Sequence, residues 1–275
     1  MTLKGWTKAI KSKIRQYIRK KLFKKGFEFK RLQQKEKILT LIKELHPLKT
    51  QHNLIRIGPN RDGGYLVPDD LEGIEACFSP GVDCVSEFEL ECINRGMKIF
   101  MADKTIEKPN LSIPKTQYSF IKKHIGLSNN DEYITMDSWV NQSLESTNSE
   151  LLLQMDIEGF EYYAILNMSY SLMNRFRIMV FEFHFLEKLW NSESFDFYST
   201  IFNKILETHV CVHIHPNNHN PYITRDGIEI PPCAEFTFIR KDRAIIKGYQ
   251  NKFPNSLDFD NTNRKPMILS KTWYS

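Results

Sequence analysis

From about residue 50 onward, short apolar runs alternate with stretches of helical spacing. Residues 76–79, 98–102, 151–155, 178–185, 210–215 and 235–240 read as strands, and 118–125 and 133–136 as further short ones. Between them, 86–95, 162–167, 186–189 and 195–207 carry apolar residues at helical spacing. Strands that alternate with helices imply βαβ units and a mostly parallel sheet covered on both faces. The last two strands have only a short Pro-rich connection, which suits an antiparallel edge hairpin. The Asn-, Asp- and Pro-rich tail after Lys252 reads as irregular but packed.

The first 45 residues follow a different pattern. Trp6, Ile10, Ile14, Ile18 and Leu22 recur every four residues, with Tyr17 beside them, and basic residues fill the other faces. This segment carries a charge of +12, and residues 46–275 carry −7, so the overall +5 hides a division. The pattern predicts a basic amphipathic helical segment over 1–45, followed by one domain over 46–275. Such a helix, through residues 1–25, suits an anionic membrane surface. Packing on protein is the alternative, and no nucleic-acid-binding motif accompanies the basic stripe. No apolar run reaches the ~18 residues of a membrane span. The N-terminus also lacks the continuous apolar core of a signal peptide. The five cysteines, Cys77, Cys84, Cys92, Cys211 and Cys233, form no CxxC pair. Reduced thiols and a cytoplasmic protein, peripheral at the inner membrane face, are therefore expected.

Chemistry concentrates where strands end. Ligands of open α/β sheets bind beyond the carboxyl ends of the strands. The run 151–155 stops abruptly at Asp156 and Glu158, followed by Gly159. An earlier strand enters the turn Pro80-Gly81-Val82-Asp83, with Glu89 in the helix that follows. That turn is not GxGxxG, but a glycine at a strand-to-helix turn lets an anionic group approach. Asp103 ends the next strand, where an acid can bond a ribose hydroxyl pair or cap its own turn. Gly126 and Leu127, after the third strand, are positioned to line an adenine. Arg56–Tyr65 contains Asp62, Gly63 and Gly64, which make either a hairpin turn or a lid over a polar ligand. His184 closes a strand, and His213 and His215 share a face of another. With Asp156, these histidines could form a general-base set or a divalent metal site, or serve as hydrogen-bonded structural residues.

In their order along the chain, RIGPNRDGGYLVPDDL, FSPGVDCVSEFE, FMADKT, ITMDSWV, LLLQMDIEGFEYYAIL, VFEFHF, HIHPNN and AEFTFIRKD resemble the FkbM-type S-adenosylmethionine-dependent methyltransferases, from about Asn53 to Trp273. The resemblance implies a Rossmann-like class I methyltransferase fold with a mostly parallel seven-stranded sheet and an antiparallel last strand. It implies O-methylation of a sugar hydroxyl on a glycan or natural product, and the membrane-suited helix adds the expectation of a lipid-linked saccharide acceptor. Gly81, Asp83 and Glu89 match the cofactor turn, Asp103 the ribose acid, and Asp62–Tyr65 a loop closing over the methionine end or the acceptor. Asp156, Glu158 and His184 match the active-site rim. Asp156 or His184 is then the expected base, with His213 or His215 orienting the acceptor. Mg²⁺ or Mn²⁺ held by Asp156, His184 and His213 is an alternative means of activation. An NAD-dependent oxidoreductase would share the turn and Asp103, and a non-catalytic cofactor-binding scaffold is a third reading.

Overall fold

The computed structural model describes residues 13–14, 16–27, 30–82 and 85–275. Helix α1 (Lys35–Glu44) leads into an antiparallel hairpin, β1 (Leu54–Ile57) and β2 (Tyr65–Pro68). Then come β3 (Ala76–Pro80), α2 (Glu87–Asn94), β4 (Lys98–Ala102), β5 (Tyr118–Ile121), β6 (His124–Ile125), β7 (Tyr133–Ile134) and α3 (Met136–Ser143). The second half runs β8 (Leu151–Met155), α4 (Glu161–Asn167), α5 (Tyr170–Met173), β9 (Phe176–His184), α6 (Ser192–Thr208) and β10 (His209–Pro216). It closes with a small hairpin, β11 (Ile223–Arg225) and β12 (Ile228–Ile230), and then β13 (Cys233–Arg240).

Seven of these strands form one sheet in the order β10-β13-β9-β8-β3-β4-β5. Strands β3, β4, β5, β8 and β9 are parallel neighbours, and only the last strand, β13, runs against its neighbours β9 and β10. The fold is thus α/β with a mostly parallel sheet. Alternation along the strands divides the interior into two clusters. Leu151, Leu153 and Met155 enter the larger one with α1, α3, α4 and α6. Leu152, Ile178 and Val180 enter the other, under α2 and the β1–β2 hairpin. Gln154 shares the face of Leu152 and donates from Nε2 to the Tyr65 hydroxyl of the hairpin at 3.2 Å. The polar end of β8 is therefore aimed at the hairpin side.

Three expectations change. The connection between the last two sheet strands is not short: residues 217–232 carry β11 and β12, and β13 inserts between β9 and β10, leaving β10 at the edge. The strand expected over 133–136 ends at Ile134, because Thr135 caps α3, its Oγ1 accepting from Ser138 N at 3.3 Å. Finally, α1 buries Ile38, Leu41 and Ile42 in the larger cluster, so residues 35–45 pack with the sheet rather than with the basic segment. Residues 31–33 also touch the body, through the Leu32–Asn191 bridge. Upstream, residues 16–23 are helical, with Ile14, Tyr17, Ile18 and Phe23 exposed. Trp6 and Ile10 of the expected stripe lie outside the described residues. The tail packs as expected, with Trp273 fully buried and its Nε1 donating to Glu229 O at 2.9 Å. The described cysteines, Cys77, Cys92, Cys211 and Cys233, are buried free thiols. No described helix is long and apolar enough to cross a membrane.

Candidate functional site

A cavity of about 670 Å³ opens beyond the carboxyl ends of β3, β4 and β8. Of the residues singled out in the sequence, Asp62, Gly63, Tyr65, Gly81, Glu89, Asp103, Asp156 and Glu158 line it. Val82, Ile125, Tyr133, Ile157 and Phe160 supply apolar wall, and Lys104, Lys123 and His124 supply polar rim. Asp83 lies outside the described residues.

The turn after β3 is glycine for a reason of chain packing. Gly81 has φ +83°, and a Cβ there would stand 1.5 Å from the Asp156 carbonyl oxygen. The ends of β3 and β8 are held against each other, Asp156 N donating to Pro80 O at 3.2 Å and Gly81 N to Ala102 O at 3.0 Å. Below the turn, Ser79 Oγ lies 2.5 Å from Glu89 Oε1 and 2.7 Å from Gln154 Oε1. One hydroxyl proton cannot serve both acceptors. Burial pushes the Glu89 carboxyl up to about 7, so a proton on Glu89 completes the contact. Asp103 both lines the cavity and caps its turn, Oδ1 accepting from Thr105 N at 2.7 Å and Thr105 Oγ1 at 2.6 Å.

Beside the cavity runs a row of buried acids on the hairpin side of the sheet. Glu182 of β9 pairs with Glu235 of β13, which pairs with His215 of β10. Met155 is level with Phe181, so Asp156 stands one position on, beside Glu182. Burial and then the neighbouring Glu182 hold Asp156 well above the usual carboxylate range. Burial likewise raises Glu182, and Glu235 to about 8. Glu182 Oε1 accepts from Asn217 Nδ2 at 2.6 Å and from the Cys233 thiol at 2.8 Å. Burial alone would lower His184, but Glu161, Glu182 and Glu158 outweigh it and raise the imidazole to about 9. Its Nε2 lies 3.9 Å from Asp156 Oδ1 and 3.5 Å from Glu158 Oε2, and its Nδ1 lies 3.3 Å from Glu161 Oε1.

The remaining residues named from the sequence lie outside the cavity lining. His213 Nε2 is 2.8 Å from Asp258 Oδ1, and His215 Nδ1 is 3.6 Å from Asp258 Oδ2. The pair thus grips the tail, and His213 does not join Asp156 and His184 in one ligand set. Burial opposes charge on His215, yet Asp258 and Glu235 raise it to about 9. Burial also opposes charge on Asp258, whose carboxyl the two histidines hold below its usual range. Arg56 braces the loop from outside, Nε donating to Pro59 O and Nη2 to Arg61 O, each at 2.8 Å. Gly64 leaves room for that guanidinium, since a Cβ would meet Pro59 O at 2.1 Å. Gly126 packs under the Tyr133 ring, and Leu127 is exposed; Ile125 and Tyr133 take the wall position expected of them.

Sequence reasoning missed Glu161, Glu182, Glu235 and Asn261. Glu161 is fully buried, and its Oε1 accepts from Ile157 N at 2.8 Å and Gly159 N at 3.1 Å. The signal for it was present: an acid in the first turn of a helix can accept from exposed backbone NH groups just before it. Asn261 Nδ2 donates to Asp62 Oδ1 at 2.9 Å and Glu235 Oε1 at 2.8 Å, joining the hairpin loop, β13 and the tail. No protein-family model matches the chain, and no curated protein matches it.

Proposed function

We propose that the protein is an S-adenosylmethionine-dependent O-methyltransferase with the class I arrangement, acting on a hydroxyl of a sugar. One observation carries the reading: a seven-stranded sheet with only its last strand reversed, and a cavity beyond the carboxyl ends of its first, second and fourth strands. The order of sequence motifs that resembles the FkbM type supports the same assignment.

The residues present fit the cofactor. Asp103 at the end of β4 would hold the ribose hydroxyls, with Ile125, Tyr133, Ile157 and Phe160 as apolar walls for the adenine. Gly81, Glu89 and the Asp62–Tyr65 loop would hold the methionine end. When bound, S-adenosylmethionine supplies a methyl group on a sulfonium, already activated toward an oxygen nucleophile. The chain's own task is positioning, worth up to roughly 7–11 kcal/mol, and removal of the hydroxyl proton, worth about 10²–10⁴-fold. Asp156 faces the cavity from the end of β8 and is the group that takes that proton.

Thermal-shift titration with S-adenosylmethionine and with NAD tests the cofactor. Stabilisation by S-adenosylmethionine alone is expected, and stabilisation by NAD alone overturns the reading in favour of an oxidoreductase. Transfer of labelled methyl to extracted lipid-linked glycans then tests the acceptor, and cofactor binding without transfer would favour a non-catalytic scaffold. Asp156→Asn should lower turnover by about 10²–10⁴-fold with cofactor affinity retained.

The exposed face of the N-terminal helix supports a second element of this function, attachment to an anionic membrane. Residues 1–27 contain ten Lys/Arg and no acid, and Ile14, Tyr17, Ile18 and Phe23 are exposed beside Lys20, Lys21, Lys24 and Lys25. Co-sedimentation with anionic but not neutral vesicles is expected. Equal partitioning after deletion of residues 1–25 would overturn it.

A further inference from the structure

We propose that a second cleft, beside the reaction cavity, binds an uncharged pyranose unit of the acceptor saccharide, next to the unit that carries the reacting hydroxyl. The cleft has a volume of about 400 Å³, within the roughly 300–1,000 Å³ of small-ligand sites. Its walls come from the turn between β8 and α4, the start of α4, the segment after β9 and the first turns of α6. Glu158 and Phe160 line both this cleft and the reaction cavity, so the two adjoin. A saccharide with one unit at Asp156 would lay its next unit across that shared edge.

Three aromatic rings line the cleft without being packed inward. Phe160, Tyr163 and Phe185 stay exposed, although Phe183 and Leu186, close to Phe185 in the chain, are fully buried. Phe185 has a left-handed backbone, φ 59°, which turns its ring outward between those anchors. A bulky residue in that conformation is strained, and strain of this kind collects at ligand clamps. Gly159 makes room for the ring, since a Cβ there would stand 2.5 Å from Phe185 Cε2. Lys188 Nζ lies 4.0 Å from the Phe185 centroid. Tyr163 is set by Phe160 and Phe197, whose centroids are 5.7 and 5.1 Å from its own.

The polar groups of the rim select what these rings receive. The carboxylates of Glu158 and Glu193 only accept hydrogen bonds, so the occupant must donate. Ser194 Oγ donates to Asn191 Oδ1 at 3.3 Å, which leaves its oxygen to accept as well. Apolar rings beside a set of acceptors match a pyranose, whose C–H faces lie on the rings while its hydroxyls donate at the edge. An acyl chain would leave the carboxylates without donors. Two carboxylates against the one ammonium of Lys188 disfavour a phosphate or a uronate in the same place.

The acceptor role rests on the methyltransferase reading, whereas saccharide binding itself does not. Maltotriose, cellotriose, tri-N-acetylchitotriose and trigalacturonate are titrated into the full-length protein and followed by saturation-transfer difference NMR. At least one neutral trisaccharide should bind saturably through its ring C–H protons, and trigalacturonate about tenfold more weakly or not at all. Phe185→Ala and Tyr163→Ala should each weaken binding by about tenfold or more, with folding checked by melting temperature. Glu193→Gln, a change on an exposed side chain, should narrow the preference over trigalacturonate by about threefold, which a purely structural role would not do. Absence of binding by every neutral trisaccharide overturns the proposal, as does binding unchanged in both aromatic variants or equal binding of trigalacturonate. Dodecanoate bound in place of any trisaccharide, and lost in both variants, would assign the cleft to an acyl chain instead. Calorimetric titration of S-adenosylmethionine separates the two ideas. Cofactor binding without trisaccharide binding rejects the cleft alone, and trisaccharide binding without cofactor binding rejects the methyltransferase reading alone.

Discussion

The two ends of the same sheet bury charge in opposite ways. At the amino end of the strands, the buried Asp70 and the half-buried Glu150 both meet arginines. Arg177 Nε donates to Glu150 Oε2 at 3.0 Å and its Nη1 to the Asp70 and Glu72 carbonyls at 2.9 and 2.7 Å. Arg243 grips both oxygens of Asp70 at 2.8 and 2.6 Å, and Arg240 reaches Glu150 at 2.8 Å. Burial opposes charge on Asp70 and Glu150, but the arginines outweigh it and hold both below the ordinary range. At the carboxyl end, burial raises Asp156, Glu182 and Glu235 even with His184 and His215 nearby, and Glu182 adds to it at Asp156 and Glu235. A fold stabilised for its own sake pairs its charges. The end where burial keeps the carboxyls raised is where strain of this kind is expected to serve a ligand.

The sharpest way to break this contrast is to remove one charge from each end. Arg177→Ala should cost about 3–5 kcal/mol in urea unfolding, because Glu150 and Asp70 lose a buried partner. Glu182→Gln, at the other end, should cost no more than ~1 kcal/mol, since the amide oxygen still accepts from Asn217. Comparable losses at both ends would erase the distinction.

The ends also differ in the sign of their pH response. Glu235 titrates near 8 when folded and near 4.3 when unfolded, so its contribution is complete below about pH 4 and is lost as pH rises toward 8. Glu235→Gln should flatten that alkaline loss. His209, buried at the paired end, behaves oppositely. Its Nε2 donates to Phe176 O at 2.8 Å and its Nδ1 accepts from the Thr208 hydroxyl at 2.7 Å, so it is held neutral. Burial lowers it to about 4, so its contribution is complete above about pH 6.5 and is lost as pH falls toward 4. The loss amounts to about 3 kcal/mol at most, and His209→Asn should flatten it in melts recorded from pH 4 to 7. His213 anchors the tail outside the cavity, so only stability and not ligand binding should respond there. His213→Gln should cost about 1–2 kcal/mol and leave S-adenosylmethionine affinity unchanged in calorimetry.

Legibility in the sequence followed the range of the interactions. The strand over 151–155 and its abrupt polar end were readable because an apolar run and the acids that stop it are adjacent. Asp103 and Gly81 were readable for the same reason, though Gly81 is required by the close approach of Asp156 rather than by a ligand. The acid row was not readable, because Glu182, Glu235 and Asn261 are brought together by the insertion of β13 between β9 and β10. The arginine network at the opposite end, drawn from Asp70, Glu150, Arg177, Arg240 and Arg243, was missed on the same ground.

By itself, then, the sequence determined the α/β alternation, the strands that end in acids and the division between a basic N-terminal segment and an acidic body. These depend on periodicity and local composition, which neighbouring residues carry. The tertiary structure alone decided that His213 and His215 hold the tail at Asp258, while Glu161 stands behind His184. Two histidines with the same spacing on a strand look alike until the partners folded against them are known, and those partners come from segments far away in the chain.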